Sequence, residues 1–254
     1  MRDFNVMADR IENLVSSQRQ LISDVSHELR SPLARLIVAM DLARERKGDD
    51  PAFDRMEKDF ERLNEMVGRL LTVARLDAST ANIQMEALNL SALAVEVVSD
   101  AEFAARERQR SVQYSGKHDI YIRGNRGLLR SAIENIVLNA VRYTAEGTTV
   151  EVHLQQHSSF DSAVLSVRDH GPGIPENELV NIFRPFYRVG GSRDETSGGV
   201  GLGLAITDRV VKLHHGSVKA VNSPHGGLEL EIKLPLEHVA PSDADHLSSN
   251  NRTI

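Results

Sequence analysis

The sequence predicts two folds in series: an α-helical hairpin that pairs with a second copy into a dimeric four-helix bundle, then an α+β two-layer sandwich. Three observations carry this expectation. Two apolar stripes of helical spacing fill the chain to about Leu76, with one break between them. From about Glu86 onward, helix-like segments alternate with short β-rich runs. The length of 254 residues, with 41% hydrophobic residues, suits one or two ordinary globular domains.

The first stripe is Ile22, Val25, Leu29, Leu33, Leu36, Met40 and Ala43, each three or four residues from the last. Lys47-Gly48-Asp49-Asp50-Pro51 is a helix stop and restart signal. The second stripe is Phe53, Met56, Phe60, Leu63, Val67, Leu70 and Ala74, in which steps of three and four alternate as in a heptad seam. Two helices joined by a short turn form an antiparallel hairpin. A lone hairpin leaves part of both seams uncovered, so a homodimeric bundle is expected. Packing of the hairpin on the downstream domain is the alternative.

Leu90 to Arg108 and Gly127 to Tyr143 are helix-like. Val112 to Tyr114, Thr149 to Leu154, Ala163 to Val167, Ser217 to Ala220 and Leu228 to Leu234 are β-rich. Thr149-Val150-Glu151-Val152-His153-Leu154 alternates as a half-buried strand does. Helices and strands in this order imply a two-layer domain of about 150 residues. After Glu237 apolar periodicity ends, and a disordered tail is expected over 238–254.

Composition excludes several classes of function. Cysteine is absent, which removes disulfides and thiolate metal sites. A net charge of −6 argues against general nucleic-acid affinity. No run of apolar residues is long enough to cross a bilayer, and Arg2, Asp3, Asp9 and Arg10 interrupt any signal-peptide pattern. The chain as written is expected to be soluble, without membrane contact of its own.

Within the first stripe lies Ser26-His27-Glu28-Leu29-Arg30-Ser31-Pro32-Leu33. At about 100° per residue, His27 sits roughly 200° from Val25 and from Leu29, so it faces solvent rather than the seam. Ser31, four residues on, shares its face. Pro32 removes the amide that would bond the Glu28 carbonyl and should bend the helix there, at a cost of about 3 kcal/mol. A neutral imidazole is a competent nucleophile near pH 7, its ordinary pKa being about 6.5. A carboxylate that takes the proton of one ring nitrogen makes the other more basic, and Glu28 is the nearest candidate. An exposed histidine with an incidental neighbour is the rival reading.

Three further segments have the chemistry of a nucleotide site. Val164 to Val167 runs into Asp169-His170-Gly171-Pro172-Gly173, where a strand-end aspartate can accept a hydrogen bond from an exocyclic amine such as adenine's. Gly171 and Gly173 permit close backbone approach. A plain surface turn is the alternative. Gly199-Val200-Gly201-Leu202-Gly203 leads into an apolar helix and offers open amides and a positive helix end to a phosphate chain. It matches neither the Walker loop nor the Rossmann fingerprint. Val189 to Ser197 before it has the composition of a mobile lid. On the helix from Gly127, Asn135 and Asn139 share a face, with Arg142 and Tyr143 within a turn; their amide oxygens suit a hard cation such as Mg²⁺. Phe183-Arg184-Pro185-Phe186-Tyr187-Arg188 combines an apolar latch with the charge-neutralising Arg184 and Arg188. Ordinary lid packing is the alternative there.

In this order the segments resemble the cytoplasmic portion of a two-component sensor histidine kinase, over about residues 1–237. The His27 octapeptide is similar to the H-box, Asn135 to Tyr143 to the N-box, and Asp169 to Gly173 to the first G-box. Phe183 to Tyr187 is similar to the F-box, and Gly199 to Gly203 to the second G-box. Met1 to Glu12 resembles the end of the signal-relay linker after a transmembrane helix. Leu21 to Leu36 and Ile182 to Ile206 resemble the Cpx-type envelope-stress sensors of Gram-negative bacteria.

The resemblance implies a linker helix end at 1–16, a dimerisation and phosphoacceptor domain at 17–78, a hinge at 79–86 and a Bergerat-type (GHKL) ATP-binding domain at 87–237. It implies His27 as the phosphorylated nucleophile, Glu28 as its base and Ser31 as an aid to dephosphorylation. Ser31 stands where the family usually has Thr or Asn, and a serine hydroxyl can orient a water with less rotamer restriction. Asn135, Asn139, Arg142, Tyr143, Asp169, Gly171, Gly173, Phe183, Arg184, Arg188, Gly199, Gly201, Leu202 and Gly203 are implied to hold ATP, and Asn139 and Asn135 to hold Mg²⁺. A second copy and the receiver domain of a response regulator are the implied partners. The implied setting is the cytoplasmic side of a bacterial inner-membrane protein anchored by upstream transmembrane helices.

Two other readings compete. An ATPase of the same fold typically carries a glutamate to activate water where Asn135 stands here. A non-catalytic dimeric scaffold would not need Asn139, Asp169 and the lid glycines intact.

Overall fold

The structure, a computed structural model, describes residues 36, 38–40, 42–44, 50–78, 83–116, 119–157, 161–189, 201–224 and 226–237. His27, Glu28, Ser31, Pro32, Gly199, most of the lid, the linker segment 1–16 and the tail 238–254 lie outside them. The chain divides into two units, Met1–Asn82 and Ile83–Ile254.

In the first unit, residues 36, 38–40 and 42–44 are helical, and a long helix α1 spans Pro51–Ala78. The helix starts where the sequence places a restart. Asp50 Oδ1 accepts from the Ala52 amide at 2.9 Å, and Pro51 occupies the first turn, where its missing N–H has no partner to lose. The guanidinium of Arg44 joins the two helical segments. It pairs with Glu57 Oε2 at 3.1 Å and also with Asp54. The stripe on α1 is only half covered: Met56, Leu63 and Leu70, seven residues apart, are 47%, 44% and 40% exposed, whereas Phe53, Phe60 and Val67 are half-buried.

The second unit runs β1 (Glu86–Asn89), α2 (Leu90–Arg106), β2 (Ser111–Gly116), β3 (Tyr121–Gly124), α3 (Arg126–Tyr143), β4 (Thr149–His157) and β5 (Ser162–Arg168). Two short 3₁₀ turns follow at Glu176–Glu178 and Asn181–Phe183. The unit closes with α4 (Gly203–Leu213), β6 (Ser217–Asn222) and β7 (Leu228–Pro235). Five strands form one sheet in the order β2-β4-β5-β7-β6, with only β2 and β4 parallel. The strands β1 and β3 form a separate antiparallel pair.

One face of the large sheet and three helices enclose the core. In β4 the alternation predicted from sequence holds: Val150, Val152 and Leu154 are buried, and Glu151 and His153 are exposed. Cross-strand rows continue it, Val152 with Val167 and Leu230, and Leu154 with Leu165 and Ile232. From above, α3 contributes Leu129, Ala132, Ile133, Ile136, Val137, Ala140 and Val141, a stripe spaced by three and four. Each fully buried Ile or Leu there contributes about 1.5–3 kcal/mol. The sandwich agrees with the sequence expectation. The β1–β3 pair and the two 3₁₀ turns were not foreseen, and Glu86, read as the end of a hinge, begins β1.

Side-chain caps start the two helices that bracket the core. Asn89 Oδ1 accepts from the Ala92 amide at 2.9 Å, and Asn125 Oδ1 from the Leu128 amide at 3.0 Å. Asn125 is held in turn by His214, the residue that ends α4. The Asn125 amide donates to His214 Nε2 at 2.9 Å, and His214 Nδ1–H donates to the Val210 carbonyl at 2.7 Å. Those partners define a neutral imidazole. Burial pushes its pKa below the ordinary histidine range, against the opposing pull of the Val210 carbonyl, and His215 lowers it further.

Candidate active site

Helix α3 is the spine of the site. Its buried stripe fixes its rotation, which leaves Asn135, Asn139 and Arg142 half-buried on another face. Asn135 and Tyr143 lie about 12 Å apart along the axis at 1.5 Å per residue. That span is on the scale of a nucleotide from base to phosphates, and each end of it meets one glycine motif.

At the Asn135 end stands the start of α4. A Cβ built on Gly203 would lie 3.0 Å from Asn135 Oδ1, so the helix N-terminus abuts the asparagine amide. The buried Thr207 hydroxyl sets this approach by donating to the Ala132 carbonyl of α3 at 3.1 Å. Leu202 is fully buried and anchors the glycine segment. The first amides of α4 have no intrahelical partner, and with the helix dipole they favour an anion. Among the described residues, no side chain caps the start of α4.

The Asp169 turn meets α3 at its other end. A Cβ on Gly171 would drive into the Tyr143 carbonyl oxygen, so only glycine fits this crossing. The Thr144 hydroxyl accepts from the His170 amide at 3.0 Å, and the Ala145 amide donates to the His170 carbonyl. Asp169 is buried, and its Oδ1 accepts from the Gly171 amide at 2.8 Å and from the Leu228 amide at 3.0 Å. Two backbone donors therefore fix the carboxylate, while Oδ2 retains lone pairs for an exocyclic amine.

The aromatic segment reaches the site through Gly201. Gly201 has φ +76°, and the Phe186 amide donates to its carbonyl at 2.8 Å. Phe186 is itself in the left-handed region at φ 64°, a strain of order 1–3 kcal/mol for a bulky residue, and its ring is half exposed. Ile182 is buried and seats the segment next to α4. Phe183 is half-buried, as is Arg188, and Arg184 is exposed. Gly173, at φ +71°, lies against Asn222.

The structure thus gathers Asn135, Asn139, Arg142, Tyr143, Asp169, Gly171, Gly201, Leu202 and Gly203 around one helix. His27, Glu28, Ser31 and Gly199 fall outside the described residues. Sequence reasoning missed Asn222, Leu228, Thr144, Thr207 and Arg110. Arg110 Nη1 donates to the carbonyls of Val141 and Arg142 at 2.7 and 3.0 Å and so satisfies the end of α3. Ser223-Pro224 and Gly226-Gly227 are turn signals that point to the β6–β7 hairpin end.

Residues 17–79 match the family described as His Kinase A (phospho-acceptor) domain, and residues 124–238 match the Histidine kinase-, DNA gyrase B-, and HSP90-like ATPase family. The chain is 41% identical over 236 residues to the sensor histidine kinase CpxA of Escherichia coli (strain K12), a match covering 92% of this chain and 50% of that protein. It is 35% identical over 252 residues to the probable sensor histidine kinase TcrY of Mycobacterium tuberculosis (strain ATCC 25618 / H37Rv), covering 94% and 52%. The chain therefore spans about half the length of the curated relatives it matches.

Among solved structures, full-length ShkA in complex with AMPPNP superposes with a TM-score of 0.74 at 23% identity, covering 87% of this chain and 46% of that one, a likeness of fold. The mycobacterial sensor histidine kinase MprB gives a TM-score of 0.53 at 26% identity, covering 61% and 99%. No helix among the described residues is long and apolar enough to cross a membrane. Phosphoacceptor and ATPase matches together cover more than half of the chain, in the order of the motifs, and the chain belongs to the two-component sensor histidine kinases, with Cpx-type sensors among its relatives.

Proposed function

We propose that this chain phosphorylates its own His27 with ATP and passes the phosphoryl group to an aspartate of a separate receiver domain. One observation carries the nucleotide half: α3 is clamped at Asn135 by the start of α4 and at Tyr143 by the Asp169 turn, one nucleotide length apart. Adenine is read by Asp169 Oδ2, and the phosphates lie toward the first amides of α4. In the transfer, one imidazole nitrogen of His27 attacks the γ-phosphorus in line, the bond to the β,γ-bridging oxygen breaks, and ADP leaves. Glu28 accepts the proton from the other ring nitrogen. Positioning and charge neutralisation do most of this work in phosphoryl transfer.

The side chains of Asn135 and Asn139 offer oxygen donors on one face of α3, which fits Mg²⁺, an ion that takes few protein ligands and shares the rest among phosphates and water. Asn135 and Asn139 would be the residues that hold the ion. When bound, Mg²⁺ neutralises phosphate charge. Arg142, Arg184 and Arg188 add positive charge, Phe183 and Tyr143 supply apolar walls, and Gly199, Gly201 and Gly203 allow the lid to approach. Ser31 orients a water for dephosphorylation of the receiver.

The half-exposed Met56, Leu63 and Leu70 support a homodimer, since a second hairpin would cover them. In the full-length protein, upstream membrane helices would anchor this part at the inner face. Incubation with γ-labelled ATP and Mg²⁺ tests the proposal. An acid-labile, base-stable label is expected, lost in His27→Ala while ATP binding persists. A label that survives His27→Ala would refute it.

A further inference from the structure

The turn that carries Asp169 is fastened at both ends to one cross-strand pair of the β6–β7 hairpin. At its entry, the Asp169 amide donates to the Leu228 carbonyl at 2.9 Å, and the Leu228 amide donates to Asp169 Oδ1 at 3.0 Å. At its exit, the Asn222 side chain makes a two-point bond to Ile174. Asn222 Oδ1 accepts from the Ile174 amide at 2.9 Å, and Asn222 Nδ2 donates to the Ile174 carbonyl at 2.7 Å. Asn222 and Leu228 are partners in the β6–β7 register.

The hairpin end is itself braced: the Ser223 amide donates to the Gly227 carbonyl and the Gly226 amide to the Ser223 carbonyl, both at 3.0 Å. Within the fastened turn, the Gly171 amide supplies the second donor to Asp169 Oδ1. A carboxamide is needed at 222, because the Ile174 amide and carbonyl require one acceptor and one donor side by side, as a neighbouring strand would present them.

We propose that Asn222 is a positioning residue for base selection. By closing the exit of the turn it keeps the Gly171 amide on Asp169 Oδ1, and so holds Oδ2 where the 6-amino group of a purine nucleotide is read. This rests on the nucleotide-site reading above and extends it to a side chain on a different strand, outside every motif of the sequence. Asn222 touches no nucleotide atom in this scheme and acts only through Asp169.

The test compares ATP with ITP, which carries a carbonyl in place of the 6-amino group, by titration calorimetry on the 254-residue chain, with KM and kcat of self-phosphorylation alongside. Asn222→Asp keeps the size and the acceptor but sets a carboxylate oxygen against the Ile174 carbonyl. It should weaken ATP binding about tenfold, the loss of one to two hydrogen bonds. ITP binding should change less than threefold, and kcat less than twofold. Asn222→Ala, which removes both bonds without repulsion, should move the ATP to ITP ratio in the same direction by a smaller factor and serves if the aspartate variant fails to fold. Equal losses for both nucleotides with a lowered melting point would mark a merely structural role and overturn the inference. So would an unchanged ratio. A wild-type chain that binds both nucleotides alike would overturn the base-reading assignment itself, a distinguishable failure.

Discussion

Two substitutions at Asp169 separate its two tasks. The carboxylate Oδ1 satisfies the amides of Gly171 and Leu228, at 2.8 and 3.0 Å in a buried position, while Oδ2 is the proposed base reader. Asp169→Asn preserves the shape and the acceptor for both amides, but turns an –NH₂ toward the base. A charge-assisted hydrogen bond of about 1.5–3 kcal/mol is lost, which corresponds to roughly 10- to 150-fold in ATP affinity. The new donor complements the 6-carbonyl of ITP, so the preference should move toward ITP. Asp169→Ala removes the acceptor as well. Two backbone amides lose their partner, at about 1–3 kcal/mol each where water cannot replace it, and the melting temperature should fall. Calorimetric titration with both nucleotides and thermal unfolding without nucleotide supply the readings. If Asp169→Asn bound ATP as the wild type does, or Asp169→Ala were as stable as Asp169→Asn, this division of labour would be wrong.

Two further outcomes follow from the same geometry. His214 is neutral in the fold and its pKa lies below the ordinary value of about 6.5, so the unfolded chain takes up the proton first. Its contribution is complete above about pH 6.5 and declines as pH falls toward the folded value, by at most about 1.4 kcal/mol per pH unit. Denaturant melts from pH 7.5 to 5 should show a steeper loss in the wild type than in His214→Gln, and parallel curves would contradict the assignment. Leu63→Glu places a charge on the half-exposed seam of α1, twice in a symmetric dimer. Each lost leucine burial is about 1.5–3 kcal/mol, so sedimentation should show monomer at concentrations where the wild type is dimeric. A dimer of unchanged affinity would place the subunit contact elsewhere.

Much of the fold was legible because its elements carry their own periodicity. The stripe of α3 and the alternation of β4 are burial patterns written locally; α3 begins one residue before the expected Gly127, and β4 runs to His157, three residues past the expected Leu154. The strands β1 and β3 were not legible: Glu86-Ala87-Leu88-Asn89 has no β-branched residue, and it is a strand only because Tyr121 to Gly124 pairs with it from more than 30 residues away. In the site, Asp169 and the glycines stood out as polar or flexible residues closing apolar runs. Asn222 could not stand out, since its partner is the backbone of Ile174, 48 residues earlier, and a backbone leaves no trace in side-chain pattern. Thr207 and Arg110 were hidden for the same reason, each donating to a main-chain carbonyl of α3.

The proposed reaction places the terminal phosphate of an ATP held between α3, the start of α4 and the Asp169 turn on the imidazole of His27. Tandem mass spectrometry of the chain after incubation with ATP and Mg²⁺, under conditions that keep phosphoramidates intact, tests it most directly. The predicted spectrum places one phosphate on the imidazole of His27, absent in a variant with Asn139→Ala. Phosphate on Ser26 or Ser31, or none on the chain while ATP is hydrolysed, would contradict it.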